Sequence, residues 1–412
     1  MLFDTEIYVR RRERLRQKLS SGVALFLGNE ESPMNYPDNP YPFRQDSTFL
    51  YLFGIDRPGL AVLMDLEEDR EVIFGDDLSV EDIVWTGPVE PLASLARKVG
   101  VNQTRRRAEL EETVRLERAK GRTVHVLPPY RPEHYLRLWL IFNVPPKDAH
   151  RLVSADLIKA IVALRSVKGP EEIQQIEEAL ELCAAMQNEA IARTRPGVLE
   201  QEIVGAMEGI VQSRGSRISF PTIFTMRGEI LHNHSHHNVL KEGALVVSDC
   251  GAESPAHYAG DITRTIPVSG KFSSLQRDIY QLVLKAQKRA IEAMKPGVLF
   301  RDVHLLACRV LVEGLIELGL MTGDAEEAVQ VGAHALFFPC GLGHMIGLDV
   351  HDMEGLGEDY VGYTEKIKRS SQFGLQSLRL ARALEAGFCV TVEPGIYFNP
   401  ALIEKWQGEG LH

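Results

Sequence analysis

The 412-residue sequence has few cysteines and no long apolar run. Its five cysteines include no Cys-x-x-Cys pair, and they are Cys183, Cys250, Cys308, Cys340 and Cys389. An odd number of cysteines without paired spacing argues against a disulfide framework and against a structural zinc site, and it is typical of a reducing compartment. Apolar runs such as VALFL and ALVV are far shorter than the ~20 residues that cross a bilayer. The sequence predicts a cytoplasmic protein without a membrane-spanning segment.

Excess positive charge and three common catalytic motifs are also lacking. Asp and Glu number 57 against 46 Lys and Arg, a formal net charge of −11. Such acidity disfavours non-specific binding to nucleic acid or to an anionic membrane, so neither is expected as a partner. The sequence contains no H-E-x-x-H zinc helix, no G-x-S-x-G nucleophile elbow and no G-x-x-x-x-G-K-[ST] phosphate loop. Three large enzyme classes are thereby disfavoured.

Residues 1–165 have the pattern of an N-terminal mixed α/β domain. A helix is predicted to begin after Asp4 or Thr5 and to end near residues 20–22. A mixed-charge stretch at 105–122 predicts a second, solvated helix. Short apolar stretches flanked by Gly, Pro or Asp predict strands at 23–27, 48–54, 60–65 and 71–74.

The remainder, residues 166–412, contains an internal repeat. It begins with a predicted helix at Pro170, where a first helical turn accepts proline. The elements Pro-Gly-Val-Leu at 196–199 and 296–299 are each flanked by two amphipathic helical patterns. Repetition of this unit at an interval of 100 residues predicts two similar halves that face each other.

Carboxylates in apolar surroundings mark the candidate site. Asp249 closes an apolar stretch of the first half, Asp261 lies at the next one, and Glu393 has the place of Asp249 in the second half. His344 also follows an apolar segment. Burying these groups unpaired is costly, and a hard divalent cation would compensate for it. The histidine-rich run HNHSHHN at 232–238 is an alternative ligand cluster, of which one or two members are expected to line a site.

Four motifs resemble those of one enzyme family: HNHSHHN, SDCGAESPAHYAGDITRTIPVSGKF, GLGHMIGLDVHDMEGLG and TVEPGIYF. Together with YPFRQDSTFLYLFGIDRPGLAVLMDL upstream, they resemble Xaa-Pro aminopeptidases (aminopeptidase P) and prolidases. The resemblance implies an α/β (α+β) chain with a duplicated "pita-bread" catalytic domain. It also implies two divalent metal ions, most often Mn²⁺, with Co²⁺, Zn²⁺ and Mg²⁺ as alternatives.

The resemblance also implies a role for each matching residue. Asp249 would bind one ion and Asp261 would bridge both, while His344 and Glu393 would hold the second ion; Glu393 also counts among the catalytic residues. His232 and His351 would line the substrate side and act in catalysis. The family's last metal ligand is a glutamate on a strand beyond Glu393, and the sequence to 412 has no such strand. We therefore expect this chain to bind two metals weakly, and its natural product to run on by a few dozen residues.

Two smaller departures accompany this one. Cys340 stands where relatives often carry a histidine, and the stretch from Asp249 to Asp261 has one residue more than in some relatives. The first puts a substrate-side contact in question, whereas a loop can absorb the second.

The implied activity is metal-dependent hydrolysis of the Xaa-Pro bond at the N-terminus of peptides with proline in the second position. The alternatives are a prolidase that cleaves only Xaa-Pro dipeptides and a non-catalytic domain that binds peptides or proteins. Metal-free amidinohydrolysis of the creatine type is disfavoured by the carboxylates. Relatives suggest a homo-oligomer, either a dimer or a tetramer.

Overall fold

The computed structural model describes residues 3–19 and 21–409. The chain divides into two compact units, Met1–Arg165 and Ser166–His412. Within the described part of the chain, no helix is long and apolar enough to cross a membrane.

The first unit is a mixed five-stranded sheet with helices. Its strands are β1 (Val23–Leu27), β2 (Ala61–Asp65), β3 (Arg70–Phe74), β4 (Gln103–Arg105) and β5 (Val124–Val126). They lie in the order β4-β3-β2-β1-β5, with β1–β2 and β2–β3 antiparallel and the two outer pairs parallel. The helices are α1 (Thr5–Lys18), α2 (Ser47–Phe53), α3 (Val80–Thr86), α4 (Leu92–Lys98), α5 (Leu110–Ala119), α6 (Pro132–Phe142) and α7 (Ala155–Arg165).

The strands predicted at 23–27, 60–65 and 71–74 are confirmed, but the strand predicted at 48–54 is wrong. That stretch is helix α2, which Asp46 caps by accepting a hydrogen bond from the Phe49 amide at 2.8 Å. Gly54 ends the helix with φ +65°, which glycine adopts without strain. Every residue of α2 is buried, so its apolar run carries no helical periodicity that could separate helix from strand. The predicted 105–122 helix begins later than expected, at Leu110.

The second unit places helix pairs beside a short antiparallel sheet. Its strands, in the order β6-β7-β8, are β6 (Ile223–Thr225), β7 (Leu245–Cys250) and β8 (Ile262–Pro267). Its helices are α8 (Pro170–Arg193), α9 (Glu200–Ser213), α10 (Ser274–Ala293), α11 (Phe300–Glu317), α12 (Ala325–Val331), α13 (Glu358–Gly362) and α14 (Pro400–Glu409). Side chains of α8 and α9 pack against β7 in one apolar core, which includes Cys183, Met186, Ile203, Met207, Val246 and Cys250.

The two Pro-Gly-Val-Leu elements adopt the same geometry, which confirms the predicted duplication. Gly197 and Gly297 have φ +89° and +91°, a left-handed conformation that favours glycine. The Gly197 amide donates to the Leu240 carbonyl at 2.8 Å, and the Gly297 amide donates to the Leu384 carbonyl at 2.8 Å. Each element thus links a helix pair to a later segment of its own half.

The counterpart of β7 in the second half, residues 388–398, is not a regular strand. The Glu393 amide donates to the Leu342 carbonyl at 2.8 Å, and the Thr391 amide donates to the His344 carbonyl at 2.9 Å. The partner segment is rich in glycine, which weakens a ladder, and the contacts do not extend into a sheet. This segment therefore differs from the strand that its counterpart β7 forms, although it still carries Glu393 toward the candidate site.

Candidate metal centre

Three of the predicted ligands meet in space, and we call them the Asp-His-Glu cluster: Asp261, His344 and Glu393. The His344 Nε2 atom lies 3.2 Å from Glu393 Oε1 and 3.5 Å from Asp261 Oδ2. One donor atom of each residue lies within 4.8 Å of the other two. The side chain of His344 is 6% exposed and that of Glu393 is 41% exposed, so the cluster is open to solvent on one side.

Asp249 is the fourth predicted ligand and the third carboxylate, and β7 and β8 position it. It lies opposite Thr263 in the β7–β8 ladder, and Thr263 Oγ1 donates to Asp249 Oδ1 at 2.8 Å. A similar contact holds Glu393, whose Oε1 accepts from Thr391 Oγ1 at 2.6 Å. Each half of the duplication therefore fixes one carboxylate with a neighbouring threonine hydroxyl.

The electrostatics of these groups suit a cation. Burial and the negative charges of Asp261 and Glu393 raise the pKa of Asp249 to about 7. Burial alone would lower the pKa of His344, but its contacts with Asp261 and Glu393 raise it to about 10. The repulsion among three carboxylates is relieved when a positive charge lies between them. Oxygen donors with a single imidazole are the donor set of hard divalent cations, so these residues fit a divalent cation.

His351 lies beside the cluster, whereas His232 shares no hydrogen bond, ion pair or ring contact with it. The ring centroids of His351 and His344 are 4.2 Å apart, and His351 Nδ1 lies 3.2 Å from Glu354 Oε2. His232 is exposed, and its side chain forms no hydrogen bond or ion pair within the described ranges. Of the HNHSHHN run, His236 faces β6, with Nδ1 3.3 Å from the Phe224 carbonyl. The role assigned to His232 stays a prediction.

Two glutamines that the sequence analysis did not single out hold the ligand-bearing segments. Gln187 of α8 donates through Nε2 to the Ser248 carbonyl at 2.9 Å and to the Ile262 carbonyl at 2.6 Å. These carbonyls belong to the residue before Asp249 and the residue after Asp261. One buried amide therefore ties together the two segments that supply half of the candidate ligands.

Gln287 of α10 has the equivalent position in the second half. Its Nε2 atom donates at 2.9 Å to the carbonyl of Val392, the residue before Glu393. Gln187 and Gln287 are 100 residues apart, the same interval as the Pro-Gly-Val-Leu repeat. That interval is the sequence signal that could have revealed them. Because each glutamine bonds the carbonyl just before a carboxylate residue, the two contacts support the pairing of Glu393 with Asp249.

We expect Gln187→Met to weaken Mn²⁺ binding by about 10- to 100-fold, the usual loss when a group supporting metal ligands is removed. Methionine fills a similar volume but cannot donate to the two carbonyls. Isothermal titration with Mn²⁺ measures the effect, with Gln212→Met on the exposed end of α9 as the matched control. Equal affinity of both variants would contradict a positioning role for Gln187.

Models of two families match the chain. "Metallopeptidase family M24" matches residues 174–411, and "Aminopeptidase P, N-terminal domain" matches residues 8–125. An Xaa-Pro aminopeptidase of Haemophilus influenzae is 32% identical over 98% of this chain and 90% of its own length. A human Xaa-Pro dipeptidase is 30% identical over 95% of this chain and 80% of its own.

Solved structures of Escherichia coli aminopeptidase P have the same fold. The low-pH form superposes with a TM-score of 0.81 at 29% identity, over 96% of this chain and 88% of that chain. A zinc-substituted form in complex with product gives a TM-score of 0.81 at 28% identity, with the same coverage. The family resemblance and the fold class predicted from the motifs are both confirmed, and the chain belongs to metallopeptidase family M24, among the Xaa-Pro aminopeptidases and prolidases.

Proposed function

We propose that this chain is a metal-dependent peptidase that hydrolyses the Xaa-Pro bond at the N-terminus of peptides. The observation that carries the proposal is the Asp-His-Glu cluster beside Asp249, within a family M24 domain. An aminopeptidase P-type N-terminal domain precedes it, and relatives named Xaa-Pro aminopeptidase align over nearly the whole chain.

The four ligands would hold a pair of divalent ions, for which we propose Mn²⁺. Asp249 and Asp261 would bind the first ion, and Asp261, His344 and Glu393 the second. Carboxylates with one imidazole suit Mn²⁺ better than a softer metal. When bound, such a pair supplies Lewis-acid activation of water and of the scissile carbonyl.

The protein's own side chains prepare this site. The Nδ1–H of His344 donates to the Met345 carbonyl at 2.9 Å, which turns Nε2 toward Asp261 and Glu393, where it would bind a cation once its proton is released. His351 is oriented in the same way, because Glu354 engages its Nδ1 and leaves Nε2 free to pass a proton to the substrate. The peptide bond before proline is a tertiary amide without an N–H, so an enzyme that cleaves it cannot bind the substrate through a hydrogen bond from that nitrogen. We assign His232 to the substrate side.

Substitution His351→Ala should lower kcat by about 100-fold or more, the usual contribution of a proton-transferring side chain. We expect bound Mn²⁺ to change little, because His351 contacts the ring of His344 rather than the carboxylates. Steady-state kinetics together with metal analysis separate the two effects. A comparable loss of bound metal would instead make His351 a ligand.

The activity is tested with the full chain, Mn²⁺ and two substrates, an Xaa-Pro dipeptide and an Xaa-Pro-Yaa-Zaa peptide. Release of the first residue from both supports the proposal, and an Xaa-Ala-Yaa-Zaa peptide is the control for proline specificity. Cleavage of the dipeptide alone would contradict the aminopeptidase proposal and identify the chain as a prolidase. Binding of Xaa-Pro peptides without hydrolysis, at saturating metal, would contradict an enzymatic role.

We also propose a cytoplasmic location and a homo-oligomer, either a dimer or a tetramer. All five cysteines are free, which supports a reducing compartment. The oligomer follows from the resemblance alone, and light scattering coupled to size-exclusion chromatography measures it.

A further inference from the structure

A second group of potential ligands lies in the core of the second unit, and we call it the His-Cys-His cluster: His304, Cys308 and His334. The Cys308 Sγ atom lies 3.3 Å from His304 Nε2, and one donor atom of each residue lies within 4.8 Å of the other two. His304 and Cys308 are 0% exposed and His334 is 2% exposed. Asp261, His344 and Glu393 form a separate group of possible ligands.

The local structure explains how the three side chains meet. His304 and Cys308 are four residues apart on α11, so both project from the same face of the helix. His334 comes from the 3₁₀ turn Ala333–Leu336, which packs against that helix, with its ring centroid 6.2 Å from that of His304.

The ring nitrogens of this cluster lack the partners that buried polar atoms normally have. Across the residues described, no hydrogen bond of good geometry reaches His304 Nδ1 or either ring nitrogen of His334, although the Val329 carbonyl lies near enough to His334 to act on its pKa. Each buried polar atom left unsatisfied costs about 1–3 kcal/mol, and native proteins contain few of them. Three such atoms beside a buried thiol point to a bound ligand.

The protonation states of the histidines suit a metal. Burial lowers the pKa of His304 to about 3 and that of His334 to about 4, although the Val329 carbonyl partly offsets the latter shift. Both rings are therefore neutral at ordinary pH, which is the form that binds metal. Burial raises the pKa of the Cys308 thiol well above its usual value, so a bound cation would have to displace its proton.

We propose that His304, Cys308 and His334 form a structural Zn²⁺ site. Two ligands of one tetrahedral zinc, a sulfur at ~2.3 Å and a nitrogen at ~2.0–2.1 Å, lie roughly 3.6 Å apart, close to the separation of Cys308 and His304. A thiolate and two imidazoles favour Zn²⁺ over Mn²⁺ or Mg²⁺. The fourth position is left for a water.

This site departs from the prediction that the chain has no structural zinc. The sequence has no Cys-x-x-Cys signal for it, because only one proposed ligand is a cysteine and His334 lies far from Cys308 along the chain. Bound zinc would tie α11 to the turn that leads into the segment of His344. Since the ligands are buried, the metal must enter while the chain folds.

Cobalt substitution tests the proposal without any measurement of peptide hydrolysis. The full chain is expressed in medium supplemented with Co²⁺, and its near-ultraviolet absorption is recorded. A thiolate-to-Co²⁺ charge-transfer band can come only from a site with a sulfur ligand, and Asp249, Asp261, His344 and Glu393 provide none. We expect one such site per chain, and tightly held zinc after expression with Zn²⁺.

Two buried cysteines make a matched pair of variants. Cys308→Ala should lose the band, whereas Cys183→Ala, equally buried on α8, should keep it. His334→Gln is the variant to use if Cys308→Ala does not fold. It should weaken the band, and its affinity for zinc should be at least 100-fold lower than that of the parent chain. Absence of the band from the parent chain, or its persistence in Cys308→Ala, would overturn the proposal.

Discussion

Asp261→Asn is expected to lower kcat/KM for an Xaa-Pro peptide by at least about 1,000-fold, the equivalent of several kcal/mol of transition-state stabilisation. Asp261 would serve both ions, and its carboxylate lies 3.5 Å from His344 Nε2. The amide keeps the shape of the side chain but removes its charge. Mn²⁺ titration calorimetry should show weaker binding in parallel, which makes the result independent of the peptide chosen.

The same substitution should not destabilise the metal-free protein. Removing the charge of Asp261 relieves its repulsion with Asp249 but also removes its attraction to His344, so the two effects on folding oppose each other. We expect a melting temperature close to that of the parent chain in chelator. Asp278→Asn, exposed on α10, is the control for an Asp-to-Asn change away from the cluster. Parent-like activity and Mn²⁺ affinity in Asp261→Asn would show that the ligand assignment is wrong.

Lys168→Met should destabilise the folded chain by about 3–5 kcal/mol, the usual cost of removing one partner of a buried ion pair. Lys168 Nζ lies 2.7 Å from Asp352 Oδ2, and both side chains are 1% exposed. The substitution leaves the buried carboxylate without that ammonium. Urea unfolding at neutral pH measures the loss, and Lys295→Met on the surface is the control.

The double variant Lys168→Met, Asp352→Leu should recover much of this stability, because no unbalanced charge then stays buried. Asp352 directly follows His351, so the single variant is also expected to displace that histidine and lower kcat. Strictly additive losses in the double variant would mean that the two residues act independently.

The sequence brought out the candidate ligands because they break a simple rule, that charged side chains avoid apolar segments. Asp249, Asp261 and Glu393 are carboxylates in apolar segments, and the repeat relates two of them to each other. Gln187 and Gln287 break no such rule, since a glutamine on an amphipathic helix has the pattern of a solvated residue. Only the fold reveals that their amides reach backbone carbonyls in the ligand-bearing segments.

Errors in the secondary structure have physical causes of the same kind. Helix α2 is buried on all sides, so nothing in its composition separates it from a core strand. Residues 388–398 have the apolar character of β7, but a strand also requires a partner with a continuous ladder. Propensity and periodicity describe a segment alone, whereas both of these outcomes depend on its neighbours.

The difference between β7 and residues 388–398 has a consequence for amide hydrogen exchange. β7 is bonded to β6 on one side and β8 on the other, so its amides should exchange only through large openings of the sheet. Glu393 lies in a segment with isolated backbone bonds, where small local fluctuations expose the amides. Ion binding would restrict those fluctuations, and the lost conformational entropy would reduce the net free energy of binding. Protection factors around Glu393 should therefore rise with Mn²⁺ while those of β7 stay nearly constant.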